Sequence, residues 1–259
     1  MKIAISGKGG TGKTTLAALL ARAFVDAGRS VIAVDADPDA NLASALGLPP
    51  AERPEPISQM RELIEERTGS KGGYGAYFKI NPDVRDLPDK FSRMVQGVRL
   101  LTLGGVAKGG GGCICPESAL LKALVTHLLL KPDEAVILDM EAGIEHLGRA
   151  TAQSVSAMIV VVEPGQRSLQ TARTICRLAE EIHLPRVGVV INKVQPGLVL
   201  DPLTAALDGM PVLGVLSFDP AIAQADLEGA AVYTGREPQR SEIAAIMERL
   251  NEWAEENVK

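Results

Sequence analysis

The segment Gly7-Lys8-Gly9-Gly10-Thr11-Gly12-Lys13-Thr14 matches the pattern Gly-x4-Gly-Lys-Ser/Thr in full, and it limits the folds open to this chain. An apolar run at residues 1–6 precedes it, and an alanine-rich stretch of helical periodicity at 13–27 follows it. Glycines let successive backbone N–H groups converge on phosphate oxygens. The start of the helix adds partial positive charge at the same place. In that setting the Lys13 ammonium neutralises the β and γ phosphates, and the Thr14 hydroxyl faces Mg²⁺. A glycine-rich turn matching by chance would lack the strand before it and the helix after it. The residues therefore point to a site for Mg²⁺ and a nucleoside triphosphate.

Gly28 stops the first helix, and residues 30–35 form a second apolar run. This β–loop–α–β opening predicts a parallel sheet with crossover helices. Further apolar runs lie at 98–103, 135–139, 157–162, 187–192 and 212–215, and helical patterns at 117–130, 168–182 and 242–254. The expected fold is α/β: a single P-loop NTPase domain over 1–259, with a mostly parallel sheet of about seven strands and helices on both faces. The chain is 46% apolar but only 3% aromatic, so its core must be built from Ala, Val, Ile and Leu, as suits helices on a parallel sheet.

Two stretches depart from this rhythm. Residues 49–90 read as a polar insertion, with a short helix at 58–67 and an irregular part at 72–81. Residues 104–112 hold six glycines in nine positions and lead into a Cys-x-Cys, so 104–117 is treated as a separate segment. The net charge of −5 and the lack of a Lys/Arg cluster argue against nucleic acid as a partner. Residues 1–6 enter the first strand directly, and no apolar run approaches the roughly 20 residues of a membrane span. The expectation is a cytoplasmic protein with neither a membrane nor a nucleic-acid partner. Thiols stay reduced there, so the three cysteines suggest metal or redox chemistry rather than a disulfide framework.

Lys8, directly after Gly7, adds a second lysine to the loop. Lys8-Gly9-Gly10-Thr11-Gly12-Lys13-Thr14-Thr15 resembles the deviant Walker A loop of the MinD/ParA/nitrogenase-iron-protein ATPases. The resemblance implies an ATP-bridged homodimer in which Lys8 reaches the phosphates held by the other protomer. It implies nucleotide binding by Gly9, Gly10, Thr11, Gly12, Lys13, Thr14 and Thr15. Asp35-Ala36-Asp37-Pro38-Asp39 ends the second strand, where carboxylates can hold Mg²⁺ waters or orient an attacking water. In the family this is switch I, with Asp37 positioning the water and Asp35 near the metal; an acidic turn with capping aspartates is the other reading. Asp139-Met140-Glu141-Ala142-Gly143 resembles switch II, which puts Asp139 near Mg²⁺. The resemblance gives Asn192 the adenine, although an asparagine can also simply end a strand. Glu163-Pro164 and Phe218-Asp219-Pro220 end strands on the same face and are weaker candidates for the base pocket.

Pro116 suits the first position of a helix, which makes Cys115 its expected N-cap and favours a thiolate there. Cys113 and Cys115 supply only two soft ligands. Across a two-fold dimer they would supply four, a set suited to Zn²⁺ or another thiophilic ion. Two buried small hydrophobes, or a strained disulfide, remain open readings of the same pair. Cys113-Ile114-Cys115-Pro116-Glu117, taken with residues 139–149, narrows the resemblance to the CooC-type accessory ATPases of carbon monoxide dehydrogenase. That implies ATP hydrolysis coupled to nickel delivery, with Ni²⁺ (or Zn²⁺) on Cys113 and Cys115. The implied partner is carbon monoxide dehydrogenase or a related nickel enzyme. The alternative is a MinD/ParA-like switch that positions a membrane or DNA-bound partner. An amphipathic tail bears on that choice: Ile243, Ile246, Met247, Leu250 and Ala254 share a stripe opposite a glutamate-rich face, and are expected to pack on the domain rather than on anionic lipid. An electron carrier with a 4Fe–4S cluster fits less well, because its relatives take single cysteines from two separated segments.

Overall fold

The computed structural model describes residues 1–70, 77–104, 116–128, 133–141, 154–184 and 186–255. The chain begins β1 (Lys2–Gly7), α1 (Lys13–Asp26), β2 (Ser30–Ala36), α2 (Leu42–Ala45), α3 (Arg61–Thr68) and α4 (Leu87–Phe91). β3 (Arg93–Val95), β4 (Val98–Thr102), α5 (Pro116–His127), β5 (Glu134–Met140) and β6 (Ala157–Val162) follow. It continues through α6 (Gln166–Glu181), β7 (Val187–Val194), α7 (Asp201–Ala205), β8 (Val212–Ser217), α8 (Pro220–Glu228) and α9 (Gln239–Glu255).

The strands form one sheet in the order β3-β4-β2-β5-β1-β6-β7-β8. All pairings are parallel except β3 with β4. Among the described residues the sheet has eight strands, close to the seven or so expected. The short β3 turns onto β4 through Gln96 and Gly97, both at positive φ, as a two-residue hairpin turn of the primed type requires.

β1 is buried along its whole length because it lies in mid-sheet, covered on both faces. Its side chains alternate, so Ile3 and Ile5 enter one core and Ala4 the other. The first core is filled by Leu16, Leu20 and Phe24 of α1 and by Ile243, Ile246 and Leu250 of α9. Ile243, Ile246 and Leu250 of the α9 stripe are thus covered by the domain, with Met247 partly buried against them, as the glutamate-rich opposite face suggested. The second core takes Leu120 and Leu124 from α5 and Leu169 and Ile175 from α6.

The segment at 49–90 is more than a polar excursion. Ile57, Ile64, Val84 and Leu87 enter the second core, and α3 packs on α5. Each such side chain contributes about 1.5–3 kcal/mol on burial, which fixes the segment to the sheet. No helix among the described residues is long and apolar enough to cross a membrane.

The chain passes from β5 to β6, on opposite sides of β1. A parallel sheet whose connections change side in this way opens a crevice at the C-terminal ends of its strands. β1, β2 and β5 all end there, carrying the glycine loop, Asp35 and Asp139.

Candidate nucleotide site

The loop at residues 7–12 runs from the end of β1 to the first turn of α1. Thr11 is fully buried and folds the loop on itself, its hydroxyl donating to the Lys8 carbonyl at 2.8 Å. Gly12 stands just before the helix at φ +93, where L side chains are strained. A Cβ there would lie 2.2 Å from the Asn192 Nδ2 atom, so space as well as backbone demands glycine. Lys13 is 7% exposed at the floor of the crevice. Lys8 is half-exposed and makes no ion pair among the described residues.

Strand register brings the acidic residues together. Asp139 of β5 lies opposite both Asp35 of β2 and Ile5 of β1. Both aspartates are fully buried. Asp35 accepts the backbone N–H groups of Leu42 at 2.9 Å and Asp37 at 3.3 Å. Burial nevertheless pushes its carboxyl up to about 6, against those two bonds. Among the described residues neither carboxylate oxygen of Asp139 has a partner at hydrogen-bond geometry. Burial pushes that carboxyl up to about 7; the nearby Thr14 hydroxyl and Lys13 oppose the shift, and Asp35 and Asp37 add to it. A buried carboxylate beside a phosphate loop favours a positive charge next to it, and the donor set of Asp139 and Thr14 fits a hard divalent cation such as Mg²⁺. Asp37 stands partly exposed in the turn after β2, where one of its oxygens accepts the Asp39 N–H at 3.0 Å.

From the loop a cavity of about 480 Å³ extends past Thr14 and Thr15 towards Asn192, Phe218 and Asp226. Phe218 and Asp219 line it, as their strand-end positions suggested. Asn192 reaches the loop itself: its Nδ2 donates to the Thr11 carbonyl at 2.8 Å, and its Oδ1 accepts the Lys193 N–H at 2.9 Å. One amide hydrogen and one oxygen lone pair remain for a ligand. The Lys193 ammonium bonds the Gly10 carbonyl and stands 3.4 Å from the Glu163 carboxylate. That contact is not visible in the sequence; the only signal is that Asn192-Lys193 and Glu163 both end strands facing the loop.

α5 opens at Pro116, the first helical position expected for it. Cys113 and Cys115, like Gly143 and His146, lie outside the described residues. Among the described residues no group of three or more His, Cys, Asp or Glu is placed to hold a metal ion. Cys176 is half-buried in α6 with its Sγ 2.8 Å from the Met210 Sδ, and burial pushes its thiol up to about 11. The His127 ring, at the exposed end of α5, lies 3.0 Å from the Asn81 side-chain oxygen.

A phosphate loop at a sheet switch point, with paired acidic strand ends, defines a class of nucleotide-binding proteins. Residues 2–232 match the CobQ/CobB/MinD/ParA nucleotide binding domain, and the chain belongs to that family. Within it the chain is a CooC-type ATPase. It is 45% identical over 261 residues to the carbon monoxide dehydrogenase accessory protein CooC of Rhodospirillum rubrum, covering 96% of this chain and 97% of that one. It is 46% identical over 236 residues to an uncharacterised ATP-binding protein of Methanocaldococcus jannaschii, covering 90% and 91%. Among solved structures it resembles the MinD cell division ATPase of Pyrococcus furiosus, with TM-score 0.67 and 26% identity over 97% of this chain and 98% of that one. The Aquifex aeolicus MinD shares the fold at TM-score 0.69 and 20% identity, covering 96% of each chain.

Proposed function

We propose that this chain uses ATP to deliver nickel to the metal cluster of carbon monoxide dehydrogenase or a related nickel enzyme, acting as a homodimer closed by ATP. The observation that carries this reading is the 45% identity to CooC over nearly the full length of both chains, a protein whose name ties it to that dehydrogenase. In this reading Gly9, Gly10, Thr11, Gly12 and Thr15 hold the triphosphate, and Lys13 neutralises it from its own protomer. Lys8, which has no ion pair among the described residues, crosses to the other protomer. Thr14, Asp35 and Asp139 are the residues that would hold Mg²⁺, which would neutralise phosphate charge when bound. Asp37 orients the attacking water by accepting its proton in a hydrogen bond. Asn192 turns its remaining amide hydrogen and lone pair to the base.

Cys113 and Cys115 from two protomers make a four-thiolate site for Ni²⁺ or Zn²⁺, kept reduced in the cytoplasm. ATP closes the dimer and reorganises this site, and hydrolysis reopens it. By linkage, metal affinity then depends on the bound nucleotide. A MinD- or ParA-like positioning switch is the second reading, favoured by the likeness of fold. It would need a lipid- or DNA-binding surface, whereas Ile243, Ile246 and Leu250 of the α9 stripe are buried in the domain core.

Incubating nickel-free carbon monoxide dehydrogenase with Ni²⁺, ATP and this protein tests the reading. The wild type is expected to restore dehydrogenase activity. Lys8→Ala is expected to restore none, to stay monomeric with ATP, and to hydrolyse ATP at least about 100-fold more slowly, the order of effect of a trans cation on phosphoryl transfer. Equal activation without ATP, or by Lys8→Ala, would count against the mechanism.

A further inference from the structure

Lys193, the penultimate residue of β7, has φ +58, a left-handed conformation uncommon for a residue with a side chain. Such a backbone persists where its surroundings over-determine it. Here the Asn192 Oδ1 takes its N–H, the Gly10 carbonyl takes its ammonium, and Glu163 from the end of β6 faces that ammonium at 3.4 Å. The adjacent carbonyl of the loop, on Thr11, is held by the neighbouring side chain, Asn192, at 2.8 Å. Two consecutive residues of β7 therefore hold two consecutive carbonyls of the phosphate loop.

Gly10 stands at φ +83 and nothing crowds it, since a Cβ there would meet no atom within 4 Å. Apart from Lys193, the Gly10–Thr11 peptide is held by one long bond, from the Thr11 N–H to the Lys8 carbonyl at 3.3 Å. We propose that Lys193 is a positioning residue for nucleotide: its ammonium holds the Gly10 carbonyl and, with the Thr11 N–H bond to Lys8, fixes the loop so that the N–H groups from Gly12 onward stay aligned for phosphate. Glu163 holds the ammonium in place from the other side. A charge-assisted bond suits this task because it is stronger than a neutral one. The role rests on the cavity being the nucleotide site, and it is independent of the nickel reading.

The test compares Lys193→Met, which keeps the aliphatic stem, with Lys193→Arg, which keeps the charge. ATP and inorganic tripolyphosphate, which has no base, serve as ligands. Lys193→Met is expected to weaken both by about tenfold, as loss of one bond to a charged group would. KM for ATP should rise in step while kcat stays within about twofold, and Lys193→Arg should recover most of the affinity. In the nucleotide-free variant, amide exchange at residues 10–12 should quicken. A loss for ATP alone would make Lys193 a base contact and overturn the proposal. Weaker binding with unchanged exchange in the free loop would make it a direct phosphate contact and overturn it equally. A wild type that binds neither ligand would overturn the nucleotide reading as well, whereas normal binding by both wild type and Lys193→Met would overturn the brace alone.

Discussion

Replacing Asp139 with asparagine is expected to make the nucleotide-free protein more stable at pH 8 while abolishing ATP hydrolysis. The wild-type carboxyl titrates near 7 in the fold and near 3.8 in its unperturbed state. Between those values the folded chain holds more protons than the unfolded chain, so stability falls as pH rises from about 4 to about 7. Above that window the full penalty is present. Asparagine has nearly the same shape and no charge, so it removes the penalty. The expected gain is about 2–4 kcal/mol at pH 8, shrinking towards zero near pH 4. Asp35, raised to about 6 by its own burial, adds a parallel slope that the variant retains. Urea denaturation at pH 8 and pH 5 without nucleotide checks this. A variant less stable than wild type at both values would mean that Asp139 is already neutralised by a partner within the fold.

Gly12→Ala is expected to have the opposite character, losing stability and ligand together. Alanine at φ +93 is strained, and its Cβ meets the Asn192 Nδ2 at 2.2 Å. Asn192 must withdraw and its 2.8 Å bond to the Thr11 carbonyl is lost. Strain and lost bond together amount to about 3 kcal/mol. The N–H groups ahead of α1 then lose their alignment, and ATP affinity should fall at least about 100-fold. Gly9→Ala is the control: a Cβ there meets nothing within 4 Å, and Gly9 is not at positive φ. It should leave unfolding within about 0.5 kcal/mol of wild type, the range of an uncrowded surface change. Equal losses for the two variants would show that the loop tolerates no side chain anywhere, and that the Asn192 contact is not what singles out position 12.

Much of this architecture was readable from the residues because the signals are local. The glycine loop, the alanine-rich helix after it and the continuous apolar strands each carry their own pattern. What escaped was short or depended on distant residues. β3 is three residues long, too short for a period to register. α8 buries none of its residues, so it shows no apolar face in sequence. Ile57, Ile64, Val84 and Leu87 are scattered through a charged stretch, and only the packed sheet shows that they belong to one core. In the site, the loop residues and the acidic strand ends were legible as motifs. The unpartnered state of Asp139 was not, because it follows from the register that sets it opposite Ile5 and Asp35. The Asn192 and Lys193 bonds to the loop cross 181 and 183 residues of chain. No local pattern encodes such a contact.

Whether the chain carries nickel is decided by anaerobic nickel binding by the wild type and by a Cys113→Ala/Cys115→Ala double variant, with dimer mass measured in parallel. About one nickel per wild-type dimer and none in the variant is expected, as a shared four-thiolate site requires. Equal binding by both proteins, or binding by neither, would contradict it and leave an ATPase whose client lies elsewhere.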